Sequence, residues 1–129
     1  MIVLDTHAWL WWMSSPERLS DDAAASIADA TAIGVSTLSA WEVAMLASRG
    51  RISLDRDVSL WVKRALAEER VESLAPGVEI ALDAGVLDAR GFPGDPADRF
   101  IYATARAVDA PLITRDARIR AFAPSTTLW

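Results

Sequence analysis

The sequence predicts an α/β fold with a mostly parallel sheet of four to five strands flanked by helices. Short apolar runs such as Ile2–Leu4 and Ala32–Ser36 lack polar alternation, as strands buried on both faces do. Stretches of helical spacing lie between these runs, and strands alternating with helices give parallel sheets. Breakers mark the joins, Ser14-Ser15-Pro16 and Pro76-Gly77 among them.

Taken in order, Met1 to Leu4 forms the first strand and ends at Asp5. Thr6 to Met13 is a Trp-rich helix. Ser20 is a helix N-cap, with Asp21 and Asp22 at the positive end of an Ala-rich helix over about 21–31. Ala32 to Ser36 is the second strand. A third helix runs from about Ser39 to Ser48, with Gly50 placed to end it. Residues 58 to 69 form a helix whose Val58, Trp61, Val62, Ala65 and Leu66 make one apolar stripe. Val71 to Leu74 is a third strand and about 78–89 another helix. Pro96 occupies the favoured first position of a helix that reaches about Val108. Pro111 to Thr114 is the fourth strand, Arg115-Asp116 a turn, and Thr126 to Trp129 a last strand. No repeat, low-complexity tract or linker divides residues 1–129, so a single domain is expected.

Composition narrows the function. Hydrophobic residues make up 52% of the chain, which implies that a partner or a second copy covers part of the surface. The net charge of −5 argues against non-specific wrapping of DNA, although twelve Arg remain for local phosphate contacts. The absence of Cys excludes disulfides and thiolate metal sites. With no signal peptide and no membrane-length apolar run, a cytoplasmic protein is expected.

Four acids carry the chemistry. Asp5 is the one Asp, Glu, Lys or Arg in the first sixteen residues. Glu42 is the one charge between Asp29 and Arg49. Asp98 shares a helix face with Ile101, Tyr102 and Ala105, and Asp116 follows the fourth strand. Strand ends of open α/β sheets are where ligands bind. Each acid also has a local structural reading. Ser39 to Glu42 matches a capping box, Asp95 caps with Asp98 in the first turn, Asp5 caps a helix, and Asp116 makes an Asx turn. Capping alone does not explain why three of the four sit in apolar surroundings. Converging carboxylates repel unless a cation holds them, and an oxygen-only set selects Mg²⁺, with Mn²⁺ as the alternative.

Four segments now carry a resemblance: DTHAWLW (Asp5 to Trp11), SAWEVAML around Glu42, GDPADRFIYATA (Gly94 to Ala105) and LITRD (Leu112 to Asp116). In this order and spacing the chain resembles PIN-domain ribonucleases, specifically VapC-type toxins of type II toxin–antitoxin pairs. The resemblance implies a PIN-like three-layer sandwich, a Mg²⁺-dependent endoribonuclease, a VapB-like antitoxin and an RNA substrate. It carries the acidic quartet onto Asp5, Glu42, Asp98 and Asp116 as metal-binding and catalytic residues. Thr6 and Thr114 match hydroxyl positions beside the acids, and Asp95 neighbours Asp98. Arg115 is expected to contact phosphate, Arg99 to form an ion pair, and His7 to follow the strand end partly exposed. The six Trp read mainly as packing, with Trp41 and Trp61 in the core or an interface, and surplus apolar helix surface implies a homodimer. The competing readings are a metal-dependent nuclease for structured DNA, and a non-catalytic interaction module whose acids are helix caps. A phosphatase-type hydrolase is disfavoured because Thr6-His7-Ala8 lacks a second Asp two positions after Asp5.

Overall fold

The computed structural model describes all 129 residues. Five strands form one sheet: β1 (Ile2–Leu4), β2 (Ile33–Ser36), β3 (Val71–Leu74), β4 (Leu112–Ile113) and β5 (Thr127–Leu128). Their order is β3-β2-β1-β4-β5, and every neighbouring pair is parallel. Seven helices connect them: α1 (Thr6–Ser14), α2 (Asp21–Asp29), α3 (Thr37–Ser48), α4 (Val58–Leu66), α5 (Val78–Val86), α6 (Pro96–Ala107) and α7 (Ala117–Phe122). No helix is long and apolar enough to cross a membrane.

Alternation along the central strands divides the core in two. Ile2 and Leu4 of β1, with Ile113 of β4, pack into a cluster that holds Trp9 of α1, Ile27 of α2, Val43 of α3 and Trp61 of α4. Val3 and Leu112, pointing the other way, join Ala84 of α5, Ile101 and Tyr102 of α6 and Ile119 of α7. Both faces of the sheet are therefore covered, which explains why β1 and β4 lack polar alternation. The result is the expected three-layer sandwich.

Connectivity fixes where a ligand can sit. The chain steps from β1 outward to β2 and β3, then returns to place β4 on the other side of β1. The direction of winding changes between β1 and β4, and a crevice opens outside their carboxyl ends at such a point. The strands are tied there by the Asp5 amide, which donates to the Ile113 carbonyl at 3.1 Å. Asp5 thus leaves the sheet at the mouth of the crevice.

Several boundaries differ from the sequence reading. Helix α3 begins at Thr37 rather than Ser39, because Ser36 closes β2 and caps the helix at once, its hydroxyl accepting from the Leu38 amide at 3.2 Å. Glu42 consequently lies in the second turn, and the expected Ser39–Glu42 capping box does not form. Helix α2 stops at Asp29 and α4 at Leu66. Helix α5 ends at Val86 and passes into a 3-10 turn over Asp88–Arg90. Helix α7 was not anticipated. Trp41 is 55% exposed, which removes the core half of its core-or-interface reading, whereas Trp61 is buried in the core.

Candidate active site

Each acid reaches the crevice by a different local route. Asp5 follows β1 and caps α1, its Oδ1 accepting from the Ala8 amide at 2.7 Å. Glu42 is carried in by α3 and is almost fully buried. Its Oε1 accepts from the Thr6 hydroxyl, which lies 3.1 Å from the Ser39 hydroxyl. Thr6 is thus a buried tether between α1 and α3. Asp95 and Asp98 form a true capping box at the start of α6. Asp95 Oδ1 accepts from the Asp98 amide at 2.9 Å, and Asp98 Oδ2 accepts from the Asp95 amide at 3.1 Å. Asp116 caps α7, accepting from the Arg118 amide at 2.8 Å, and also pairs with the Arg118 guanidinium at 2.8 Å.

All five carboxylates line one groove of about 760 Å³, with His7, Trp11, Arg18, Arg51 and Arg115 on its walls. The four acids singled out in the sequence, from four distant segments, are therefore brought to one place together with Asp95. Thr114 is buried behind them, its hydroxyl accepting from the Asp116 amide at 3.1 Å. Arg115 is exposed on the groove, and Arg99 forms its ion pair with Asp88 at 3.0 Å. His7 is exposed, its ring 5.7 Å from that of Trp11. No three of the carboxylates are drawn in far enough to enclose an ion on their own.

Electrostatics separate the set into two kinds. Burial pushes the Asp5 carboxyl up, against the Thr114 hydroxyl, the Ala8 amide and His7, while the charge of Asp116 adds to the rise. Burial also raises Glu42, opposed by the Thr6 hydroxyl and reinforced by Asp95 and Asp5. Asp98 is pushed up to about 7, by burial first and then by the charges of Asp95, Glu42 and Asp5. Asp116 is held below the usual carboxylate range by its bonds to Arg118. Three acids thus resist ionisation and repel one another, and the fourth is ionised beside its own cation.

Gly94 contributes something the sequence reading passed over. A Cβ built there would lie 2.5 Å from both Asp98 Cβ and Phe92 Cε1. The backbone of the 91–96 loop presses directly on the Asp98 side chain. Only the density of breakers around Gly94 hinted at this, and it could not say which side chain is pressed.

The description "PIN domain" attaches to a family model matching residues 2–123. The chain belongs to the PIN-domain family. Ribonuclease VapC22 of Mycobacterium tuberculosis is 40% identical over 119 residues, which is 92% of this chain and 89% of that protein. Among solved structures, a toxin–antitoxin complex from Klebsiella pneumoniae superposes with TM-score 0.73 at 20% identity, covering 100% of this chain and 97% of that one. VapBC2 from Rickettsia felis, bound to a DNA fragment from its promoter, superposes with TM-score 0.70 at 16% identity, covering 99% and 98%. At such identities the likeness is one of fold, and the all-parallel five-stranded sheet is the PIN sheet.

Proposed function

We propose that this PIN domain is a Mg²⁺-dependent endoribonuclease that acts in the cytoplasm as the toxin of a toxin–antitoxin pair. The observation that carries the reading is the groove at the β1–β4 switch point, which carboxylates from four separate segments line together. Likeness to Ribonuclease VapC22 over most of the chain supports ribonuclease activity, and likeness to toxin–antitoxin complexes supports a VapB-like antitoxin as partner.

Asp5, Glu42, Asp98 and Asp116 are the residues that would hold the cation and carry catalysis, with Asp95 at the margin. The donor set fits a hard divalent ion in kind: oxygen only, no Cys, and one exposed His. It also fits in charge, because the raised Asp5, Glu42 and Asp98 can share the groove as anions once a cation offsets their repulsion. When bound, Mg²⁺ or Mn²⁺ supplies neutralisation of the phosphodiester and a water of lowered pKa for in-line hydrolysis. The protein does the rest. Thr6 fixes the Glu42 carboxylate through its hydroxyl, and Thr114 orients the Asp116 backbone. The Ala8 amide and the Thr114 hydroxyl together fix the Asp5 carboxyl at the groove. Asp116 must give up part of its pairing with Arg118 to join the set.

The decisive experiment incubates purified protein with labelled RNA and labelled structured DNA, with Mg²⁺ and with EDTA. RNA cleavage that needs Mg²⁺ and is lost in Asp5→Asn is expected. Asp5→Asn cleaving as fast as wild type sinks the assignment, and degradation of DNA alone replaces it with the DNA nuclease reading.

For self-association, Val78, Leu82 and Val86 lie four residues apart on α5 and are 73%, 64% and 45% exposed. Such a stripe is the surface α5 would offer a second copy. A light-scattering mass of one chain at micromolar concentration argues against the homodimer.

A further inference from the structure

Thirteen cationic side chains are spread over the molecule, and most are engaged. Arg56, Arg90, Arg99, Arg106 and Arg118 pair with carboxylates. Arg70 donates to the carbonyls of Ile27, Ala28 and Ala30, and Arg120 reaches that of Arg115. Arg18, Arg49, Arg51, Lys63, Arg64 and Arg115 are left without such partners. Arg18, Arg51 and Arg115, half of that free set, line the carboxylate groove.

Two of these are seated on one platform. The guanidinium carbons of Arg18 and Arg115 lie 4.6 and 5.5 Å from the centroid of the Trp11 ring. Trp11 is itself buried and braced by His7 and by Trp129, whose ring lies edge-on at 5.6 Å. Stacking on an indole positions a guanidinium while leaving its N–H donors free. Two cations held on the same ring repel, and neither has a carboxylate within ion-pair distance. A bridging anion would be favoured at this spot, in a protein whose net charge is −5.

We propose that Trp11, Arg18 and Arg115 form a phosphate clamp for the backbone of single-stranded RNA, holding a phosphate next to the scissile one, with Arg51 as a further contact. The clamp rests on the nuclease reading for the direction in which the strand runs toward the carboxylates. A polynucleotide fits better than an acidic peptide. Its regularly spaced phosphates let one strand engage the free arginines and, with a cation, the acids of the same groove. Phosphate contacts of this kind position a strand without reading its sequence.

The test is fluorescence anisotropy of a short labelled oligouridine in EDTA, where metal-dependent cleavage is blocked, across a salt series. Arg18→Ala and Arg115→Ala are each expected to weaken binding about tenfold and to lower the salt slope by about 0.7, the value for one phosphate on a single strand. Arg49→Ala and Lys63→Ala, free cations outside the groove, should keep wild-type affinity and slope. With Mg²⁺ and cleavable RNA, the two groove substitutions should raise KM with kcat held. Wild-type affinity and slope in both overturn the clamp. So does poly-glutamate displacing the oligonucleotide with the same sensitivity to the two substitutions, which would assign the site to an acidic peptide. The failures separate cleanly. A wild type that binds as described yet never cleaves RNA removes the nuclease and keeps the clamp. A wild type that cleaves while both variants bind normally removes the clamp alone.

Discussion

Asp98 and Asp116 line the same groove, each at the N-terminal end of a helix, and their proton affinities are shifted in opposite directions. Asp98 is tucked under the Gly94 loop among other acids, and burial with repulsion lifts it to about 7. Asp116 sits at the groove edge with Arg118 against it and is lowered. A helix start is therefore not enough to set the behaviour of a capping acid. What decides is whether its neighbours are other carboxylates or a guanidinium. The inner side of the groove stores repulsion that a cation can release, and the outer side is already neutralised.

The sharpest way to break this comparison is to remove an inner acid. Asp5→Asn and Asp98→Asn should each lower RNA cleavage by about 10³-fold, the scale of losing several kcal/mol of charge stabilisation. Asp116→Asn should cost less, about 10–100-fold, measured under the same conditions. Equal losses at Asp98 and Asp116 would erase the distinction between the two sides.

Gly94→Ala tests the inner side without touching a charge. The added methyl must displace Asp98 or Phe92, and a misplaced group of this kind costs up to about 10²-fold in rate. A variant that is as active as wild type would show that Asp98 needs no such constraint.

Stability against pH gives a smaller effect with a definite sign. Asp98 binds its proton more tightly in the folded state than its ordinary value of 3.8, so folding takes up a proton between that value and about 7. Its contribution favours the metal-free fold at low pH and is lost as pH rises through about 7. The melting temperature of wild type relative to Asp98→Asn should fall between about pH 5 and pH 8 in EDTA. Mg²⁺ should raise the wild-type melting temperature more at pH 8 than at pH 5. A difference that grows with pH would contradict the raised state of Asp98. Asp116 works in the other sense: its lowered value adds stability above the ordinary carboxylate range, lost on acidification. Arg118→Ala, the mildest change, should remove that term and tighten Mg²⁺ a few-fold by freeing Asp116.

The inner side was largely legible in the sequence; on the outer side Asp116 was legible but its surroundings were not. Asp5 was visible because a buried apolar run ends on it, and Asp98 because Asp95-Pro96 opens a helix with a clear apolar face. Glu42 was placed on the correct helix but in the wrong turn. Ser36 and Ser39 are equally good caps by composition, and only the direct passage from β2 into α3 chooses between them. Helix α7 escaped notice because just one of its six residues, Ile119, is buried, so no apolar period announces it. The pairing of Asp116 with Arg118 was hidden with it. Arg18 meets Trp11 only because a 3-10 turn at Pro16 folds the chain back, which residue spacing does not reveal.

The sheet order carries a consequence for biosynthesis. The strand that flanks β1 at the crevice, β4, follows β2 and β3 in the chain, so a ribosome-bound fragment lacking Leu112–Ile113 leaves one edge of β1 bare. Asp116 is translated later still. The groove stays incomplete until β4 has paired with β1 and Asp116 has followed it, so the early acids Asp5 and Glu42 are made long before the wall that faces them.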